Sequence, residues 1–123
     1  MLQFICHPTC TTCKKARAWL DAHGISYQVR DIRTENPTET ELRAWQADSG
    51  LPLKRFFNTS GQQYRALGLK DKLPDMPEDA QFALLASDGM LVKRPLLVGG
   101  GHVLVGFREK EWEVAAMLAD ELE

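Results

Sequence analysis

Residues 2–32, LQFICHPTCTTCKKARAWLDAHGISYQVRDI, carry the pattern that decides the fold. The run from Leu2 to Cys6 is short and apolar, which predicts a buried strand. Apolar side chains then recur at helical spacing from Thr11 to His23, and Gly24 supplies a stop. Alternating residues from Ile25 to Ile32 predict a second strand. The stretch therefore predicts a βαβ unit with parallel strands and a right-handed crossover.

The predicted first helix should turn one face toward the core. The residues that recur along it at three- and four-residue spacings are Ala16, Trp19, Leu20 and His23. The bulky aromatic residues elsewhere are expected in the core as well: Trp45, Phe56, Phe57 and Trp112.

Turn and capping signals predict a mainly helical middle section. Thr38 followed by Glu41 resembles a capping box, which predicts a helix running to about Asp48. Prolines and glycines interrupt the pattern after Gly50, so only short helices are expected there. These short helices are predicted at Leu53–Phe57 and Gln62–Leu67.

A longer helix is predicted from Pro77 to Ala86, because proline suits the first helical position. Its residues recur at helical spacing through Ala80, Ala83 and Leu84. Together these helices resemble an insertion, at about residues 38–88, between two halves of a sheet.

The last part of the chain is rich in β-forming residues again. Two such runs, Leu96–Val98 and Val103–Val105, are separated by three glycines, which predicts a hairpin. A closing amphipathic helix is predicted from Glu109 to Leu122. At 123 residues the chain fits one compact α/β domain, residues 1–123.

Composition and charge narrow the functional classes. The net charge of −2 and the pI near 5.9 give no basic surface for binding a nucleic-acid backbone directly. No apolar run approaches the roughly 20 residues that span a bilayer, and no leader sequence is evident. We therefore expect a cytoplasmic protein. Its three cysteines fall within eight positions, a clustering that indicates chemistry rather than structural disulfides.

Cys10 and Cys13 stand where the first strand gives way to the first helix. Free N–H groups and the helix dipole stabilise an anion there, so the pKa of Cys10 should fall below its usual value. A second cysteine three positions later lies one turn along the same face. Cys10 is thus the predicted attacking thiol and Cys13 the resolving thiol.

Two other interpretations of the cysteines stay open at this point. The thiols could be small hydrophobic residues buried on a helix. Cys6, His7, Cys10 and Cys13 could also ligate zinc, although zinc sites usually join two ligand pairs across a longer loop. Cys6 is expected in the core of its strand, and His7 adjoins the pair and is expected to tune it.

The Arg94-Pro95 step is the second signal. Proline within a sheet is confined to edges, strand starts and bulges, and Pro95 opens a strand just after a charged residue. Taken alone, the step favours a trans peptide bond, because cis bonds are about 5–6% of X-Pro bonds.

Four stretches of the chain resemble the arsenate reductase (ArsC) and Spx-like branch of the thioredoxin superfamily. The stretches are HPTCTTCKKA (7–16), FNTSG (57–61), LGLKDKL (67–73) and KRPLLV (93–98). The resemblance covers nearly the whole chain. It implies a thioredoxin-like α/β fold, ordered βαβ, helical insertion and ββα, with a mixed four-stranded sheet and a cis Pro95 packed against the cysteine turn.

The resemblance also implies an activity. In arsenate reductases the cysteine that matches Cys10 attacks arsenate, and arginines hold the oxyanion. Arg94 matches one of them, and a second falls near Lys54-Arg55. The family's third arginine falls near Gly106-Phe107, where this chain has no arginine. That departure counts against arsenate as the substrate.

Cys13 is a further departure from the arsenate reductases, which generally lack a resolving cysteine at this position and rely on external thiols. The pair resembles Spx-like members, some of which bind RNA polymerase as redox-sensitive regulators. The chain is therefore predicted to be a thiol oxidoreductase acting on arsenate or a disulfide, with an Spx-like regulator as the alternative.

The partners and the wider site follow from the same resemblance. No cofactor is expected, and glutathione, glutaredoxin or thioredoxin is the expected external reductant. The predicted catalytic residues are Cys10, Cys13 and Arg94, and the predicted substrate-binding residues are His7, Thr11, Thr12, Lys54, Arg55 and Pro95.

Overall fold

The computed structural model describes residues 2–113, which divide between two compact units. The first unit takes the residues before Ile32 and those after Lys93, and the second takes residues 32–93. The insertion predicted at about 38–88 falls within the second unit. The grouping of both into one thioredoxin-like domain stays a prediction.

The first unit contains a mixed four-stranded sheet. Its elements are β1 (Leu2–Cys6), α1 (Thr11–Ala22), β2 (Tyr27–Asp31), β3 (Leu96–Gly99) and β4 (His102–Val105). The strand order is β2-β1-β3-β4. β1 pairs with β2 in parallel, while β3 pairs antiparallel with both β1 and β4. The predicted βαβ unit, hairpin and mixed sheet are all confirmed.

Helix α1 packs one face on the sheet through Cys13, Ala16 and Leu20, all of which are buried. Trp19 is only half-buried. The helix predicted from Thr11 to His23 is confirmed, with its end one residue earlier. The helix ends at Ala22, and the exposed His23 ring stacks on the Trp19 ring with 3.9 Å between centroids.

The end of the described chain returns to this core. Residues 109–113 are helical, and Trp112 is fully buried, with its indole N–H donating to the Gly106 carbonyl at 2.9 Å. The rest of the helix predicted from Glu109 to Leu122 lies outside the described residues.

The second unit is helical. It comprises α2 (Glu39–Ser49), α3 (Gln62–Ala66), α4 (Leu69–Lys72), α5 (Glu78–Ser87) and 3₁₀ turns at Leu53–Phe56, Leu73–Asp75 and Gly89–Leu91. The capping box is confirmed. The Glu41 N–H donates to Thr38 Oγ1 at 3.1 Å, and the Thr38 N–H donates to a Glu41 carboxylate oxygen at 3.0 Å. Trp45, Phe56 and Phe57 are buried as predicted.

Helix α5 differs from the prediction at its first residue. Pro77 is the N-cap residue with extended backbone rather than the first helical residue. The helix buries Phe82 and Leu85, whereas Ala80 and Ala83 are exposed. The larger side chains remove more apolar surface from water than alanine does, so they set the inner face.

Helix length bears on membrane insertion. Within residues 2–113, every helix is too short or too polar to cross a bilayer.

Candidate redox site

The sheet register brings the two sequence signals together. Ile5 near the end of β1 pairs with Leu96 at the start of β3. Because the strands run antiparallel, the residues after Ile5 and those before Leu96 leave the sheet at the same end. The loop that carries the cysteines therefore meets the Arg94-Pro95 step, although some eighty positions separate them in the chain.

Cys10 sits at the N-cap of α1. Its backbone is extended, with φ −72° and ψ 124°, and its carbonyl accepts the first helical bond from the Lys14 N–H at 3.0 Å. A turn before it is closed by the Cys10 N–H, which donates to the His7 carbonyl at 3.1 Å. Cys10 is half-buried, in contrast to Cys6 and Cys13, which are buried.

Several groups act on the ionisation of Cys10. Partial burial raises the pKa of its thiol, but the backbone N–H of Cys13, the Arg94 guanidinium and the Cys13 thiol all favour the thiolate. The balance leaves the pKa of Cys10 below its usual value. The Cys13 backbone N–H, the Arg94 guanidinium and the Cys13 thiol are thus the groups that favour the predicted thiolate at the start of α1.

Cys13 behaves in the opposite way. It is buried in the core of the first unit, and that burial, together with the neighbouring Cys10 sulfur, raises the pKa of its thiol to about 12. The His7 N–H donates to the Cys13 sulfur at 3.4 Å and works against this rise. The pair thus combines a half-buried Cys10 with a lowered thiol pKa and a buried Cys13 with a raised one.

Arg94 supplies the positive charge. Its guanidinium lies close enough to Cys10 to favour the thiolate, while Nε and Nη1 are buried and have no hydrogen-bond partner among residues 2–113. Buried donors are normally satisfied, so these two nitrogens mark a place for an acceptor such as an oxyanion. The Arg94-Pro95 peptide bond is cis, in line with the family resemblance, and Pro95 is buried.

The other predicted binding residues divide into two groups. His7 is half-buried beside the pair, and Thr11 and Thr12 lie exposed in the first turn of α1. Lys54 and Arg55 belong to the 3₁₀ turn of the second unit. Their role toward an oxyanion stays a prediction, as does the binding role of the other residues.

Cys6 completes the cysteine cluster. It is buried at the end of β1, as expected, and burial raises the pKa of its thiol. All three cysteines are free thiols. Within residues 2–113 no group of three or more histidine, cysteine or acidic side chains is arranged to hold a metal ion.

Thr9 is the site residue that sequence analysis missed. Its N–H and its hydroxyl both approach Nδ1 of His7, at 3.1 Å and 2.9 Å. Thr9 and His7 are two positions apart in a turn that contains Pro8, and that spacing was the available signal.

The mixed sheet, the cysteine pair at the start of α1 and the cis-proline before β3 together define a thioredoxin-like thiol protein. The model of the ArsC family matches residues 6–115, and the chain belongs to that family. Both the resemblance and the fold class predicted from sequence are thereby confirmed.

Relatives of the chain fall into more than one functional class. Uncharacterized protein YusI of Bacillus subtilis is 52% identical over 112 residues, 91% of this chain and 95% of YusI. Global transcriptional regulator Spx of Enterococcus faecalis is 30% identical over 111 residues, 90% of this chain and 83% of Spx. The crystal structure of "a possible arsenate reductase" from Streptococcus mutans is 49% identical, with a TM-score of 0.84, and the match covers 92% of this chain and 98% of that chain.

Proposed function

We propose that the protein is a thiol oxidoreductase in which Cys10 attacks the substrate and Cys13 resolves the intermediate. One observation carries the proposal: the half-exposed Cys10 has a lowered pKa, and the adjacent buried Cys13 has a raised one. A pair with pKa values pushed apart can divide attack and resolution between two sulfurs.

With a disulfide substrate, the Cys10 thiolate attacks one sulfur and forms a mixed disulfide, while the other sulfur leaves as a thiolate and takes up a proton. Cys13 then loses its proton and attacks the Cys10 sulfur. The second half of the substrate leaves, and a Cys10–Cys13 disulfide remains. Two electrons pass from the two thiols to the substrate, and an external thiol such as glutathione, glutaredoxin or thioredoxin restores the pair.

With arsenate, the Cys10 sulfur displaces one oxygen as water and forms a sulfur–arsenic bond. Attack of Cys13 on Cys10 breaks that bond and leaves the electron pair on arsenic, which departs as arsenite. The partnerless Nε and Nη1 of Arg94 suit the oxygens of such an anion. The missing arginine near Gly106-Phe107 favours the disulfide as substrate.

The test incubates reduced protein separately with arsenate and with oxidised glutathione, and follows thiols and intact mass. We expect an intramolecular disulfide with at least one substrate, no reaction in Cys10→Ser, and a trapped adduct on Cys10 in Cys13→Ser. Cys6→Ala is the matched control and should react as wild type, because Cys6 lies outside the pair. Full turnover in Cys10→Ser would disprove the proposal.

A second candidate function rests on the similarity to Spx, a named global transcriptional regulator. In that case the Cys10–Cys13 disulfide is a switch, and RNA polymerase is the partner that the family resemblance implies. The acidic pI of about 5.9 suits a protein partner better than DNA. Free thiols in the pair suit a reducing cytoplasm, where we place the protein.

Affinity capture separates the two functions. Purified RNA polymerase is passed over immobilised protein in the reduced state and in the oxidised state. The regulator predicts retention in one state and weaker retention in the other. Equal absence of retention in both states removes the regulator and leaves the enzyme.

A further inference from the structure

The loop before Cys10 is fastened by a contact that the proposed chemistry does not use. Nδ1 of the His7 ring receives the Thr9 N–H at 3.1 Å and lies 2.9 Å from the Thr9 hydroxyl. A backbone N–H can only donate, so Nδ1 accepts, and a neutral ring then carries its proton on Nε2. The Thr9 backbone N–H thus sets the tautomer of His7, and the Thr9 hydroxyl adds a second contact to the same ring nitrogen.

The backbone of His7 touches both cysteines in different ways. Its N–H donates to the sulfur of Cys13 at 3.4 Å. Its carbonyl accepts from the backbone N–H of Cys10 at 3.1 Å, a bond that does not involve the Cys10 sulfur. A shift of His7 therefore acts on the sulfur of Cys13 more directly than on the sulfur of Cys10.

We propose that Thr9 is a positioning residue for the resolving step, because it holds His7 so that the His7 N–H stabilises negative charge on Cys13 as that sulfur attacks. The inference rests on the proposed function. Resolution requires Cys13 to lose a proton inside the core, which its burial opposes. A donor already in place on that sulfur lowers the barrier to this step.

The step balances within the site. The mixed disulfide on Cys10 is attacked by the Cys13 sulfur, the bond between Cys10 and the substrate half breaks, and that half leaves as a thiolate. The proton lost by Cys13 passes to solvent or to the leaving thiolate. Thr9 forms and breaks no covalent bond in the step.

The chain offers a matched control for Thr9. Thr9 is an exposed threonine beside Cys10, and Thr40 is an exposed threonine of α2 outside the predicted site. The Thr9 hydroxyl lies 2.9 Å from Nδ1 of the His7 ring, whereas Thr40 belongs to the second unit. Exposure of both side chains means that replacing either leaves the core of the first unit intact.

The experiment mixes reduced protein with the aromatic disulfide 5,5′-dithiobis(2-nitrobenzoate) in a stopped-flow spectrometer. Attack by Cys10 releases one coloured thiolate, and resolution by Cys13 releases the second. In Thr9→Val we expect the second phase to slow about threefold, the effect of losing one neutral hydrogen bond, and the first phase to keep its rate. Thr9→Ser retains the hydroxyl and should restore the second phase, and Thr40→Val should match wild type.

Three outcomes would overturn the inference. The second phase could keep its rate in Thr9→Val, it could slow equally in Thr40→Val, or Thr9→Ser could fail to restore it. A wild-type protein that releases only one thiolate, and so never resolves, would disprove the proposed oxidoreductase itself and the role of Thr9 with it.

Discussion

The ionisation of single residues governs the chemistry of the site, and Arg94 is the charged side chain that favours the Cys10 thiolate. We predict that Arg94→Gln raises the pKa of Cys10 and slows its alkylation by iodoacetamide about tenfold at neutral pH. Arg94→Lys retains the charge without the planar donor group, so its rate should fall between the two. The pH profile of alkylation measures the shift, and an unchanged profile in Arg94→Gln would contradict the assignment.

Cys13 makes the stability of the reduced protein depend on pH. Folding raises the pKa of its thiol from 9.0 to about 12, so the folded state keeps a proton that the unfolded state releases in this range. The contribution of Cys13 is fully present below pH 9.0 and is lost as the pH rises toward about 12. Urea unfolding at several alkaline pH values should show this fall, and Cys13→Ala should flatten it. An equal fall in the free energy of unfolding with pH in wild type and Cys13→Ala would contradict a raised pKa of Cys13.

At the scale of secondary structure, the start of α1 differs from the starts of α2 and α5. The first turn of α1 holds no acidic residue, whereas α2 has Glu39 and Glu41 there and α5 has Glu78 and Asp79. Acidic residues normally stabilise this end of a helix, so their absence from α1 leaves its positive end available to the Cys10 thiolate and to anionic reactants.

Lys14 and Lys15 extend that positive character along α1, and both are exposed. Lys14 is four positions after Cys10 and shares its face, while Lys15 points away. We predict that Lys14→Glu slows reaction with oxidised glutathione, which is anionic, about threefold at low salt, and speeds reaction with the cationic disulfide cystamine. Lys15→Glu carries the same charge change as a control and should have a smaller effect. Equal effects of the two variants would show that net charge alone is responsible.

The capping box of α2 gives a prediction about stability. Thr38→Ala removes the hydroxyl that accepts the Glu41 N–H and should lower the free energy of unfolding by about 1 kcal/mol. Thr40 is exposed within the same helix, so Thr40→Ala serves as the control and should change stability little. Urea unfolding measures both, and equal losses would show that the cap is not the cause.

At the scale of the whole molecule, the reduction potential of the cysteine pair depends on how stable the reduced protein is relative to its disulfide form. Interactions that favour the Cys10 thiolate stabilise the reduced protein relative to the disulfide form, which makes the disulfide more oxidising. We predict that Arg94→Gln makes the reduction potential of the pair more negative, by roughly 10–30 mV. Equilibration with glutathione redox buffers measures the potential, and a less negative value would contradict this linkage.

Local sequence predicted much of the first unit. β1, α1 and the glycine hairpin were found because their periodicity and turn residues act over short distances. The spacing of Ala80, Ala83 and Leu84 indicated the helix α5 but not its inner face, because the large Phe82 and Leu85 side chains decide burial. Thr9 was missed because its contact depends on how the His7 ring turns, which spacing alone does not reveal.

The pairing of β1 with β3 also concerns the nascent chain. Cys10 is synthesised long before Arg94, and the two meet only when β3 has been laid beside β1. In a ribosome-bound or unfolded chain, the Cys10 thiol therefore has the reactivity of an ordinary cysteine. Cys10 gains its raised tendency to ionise only as the chain folds, and its thiol is therefore less open to unwanted oxidation before folding is complete.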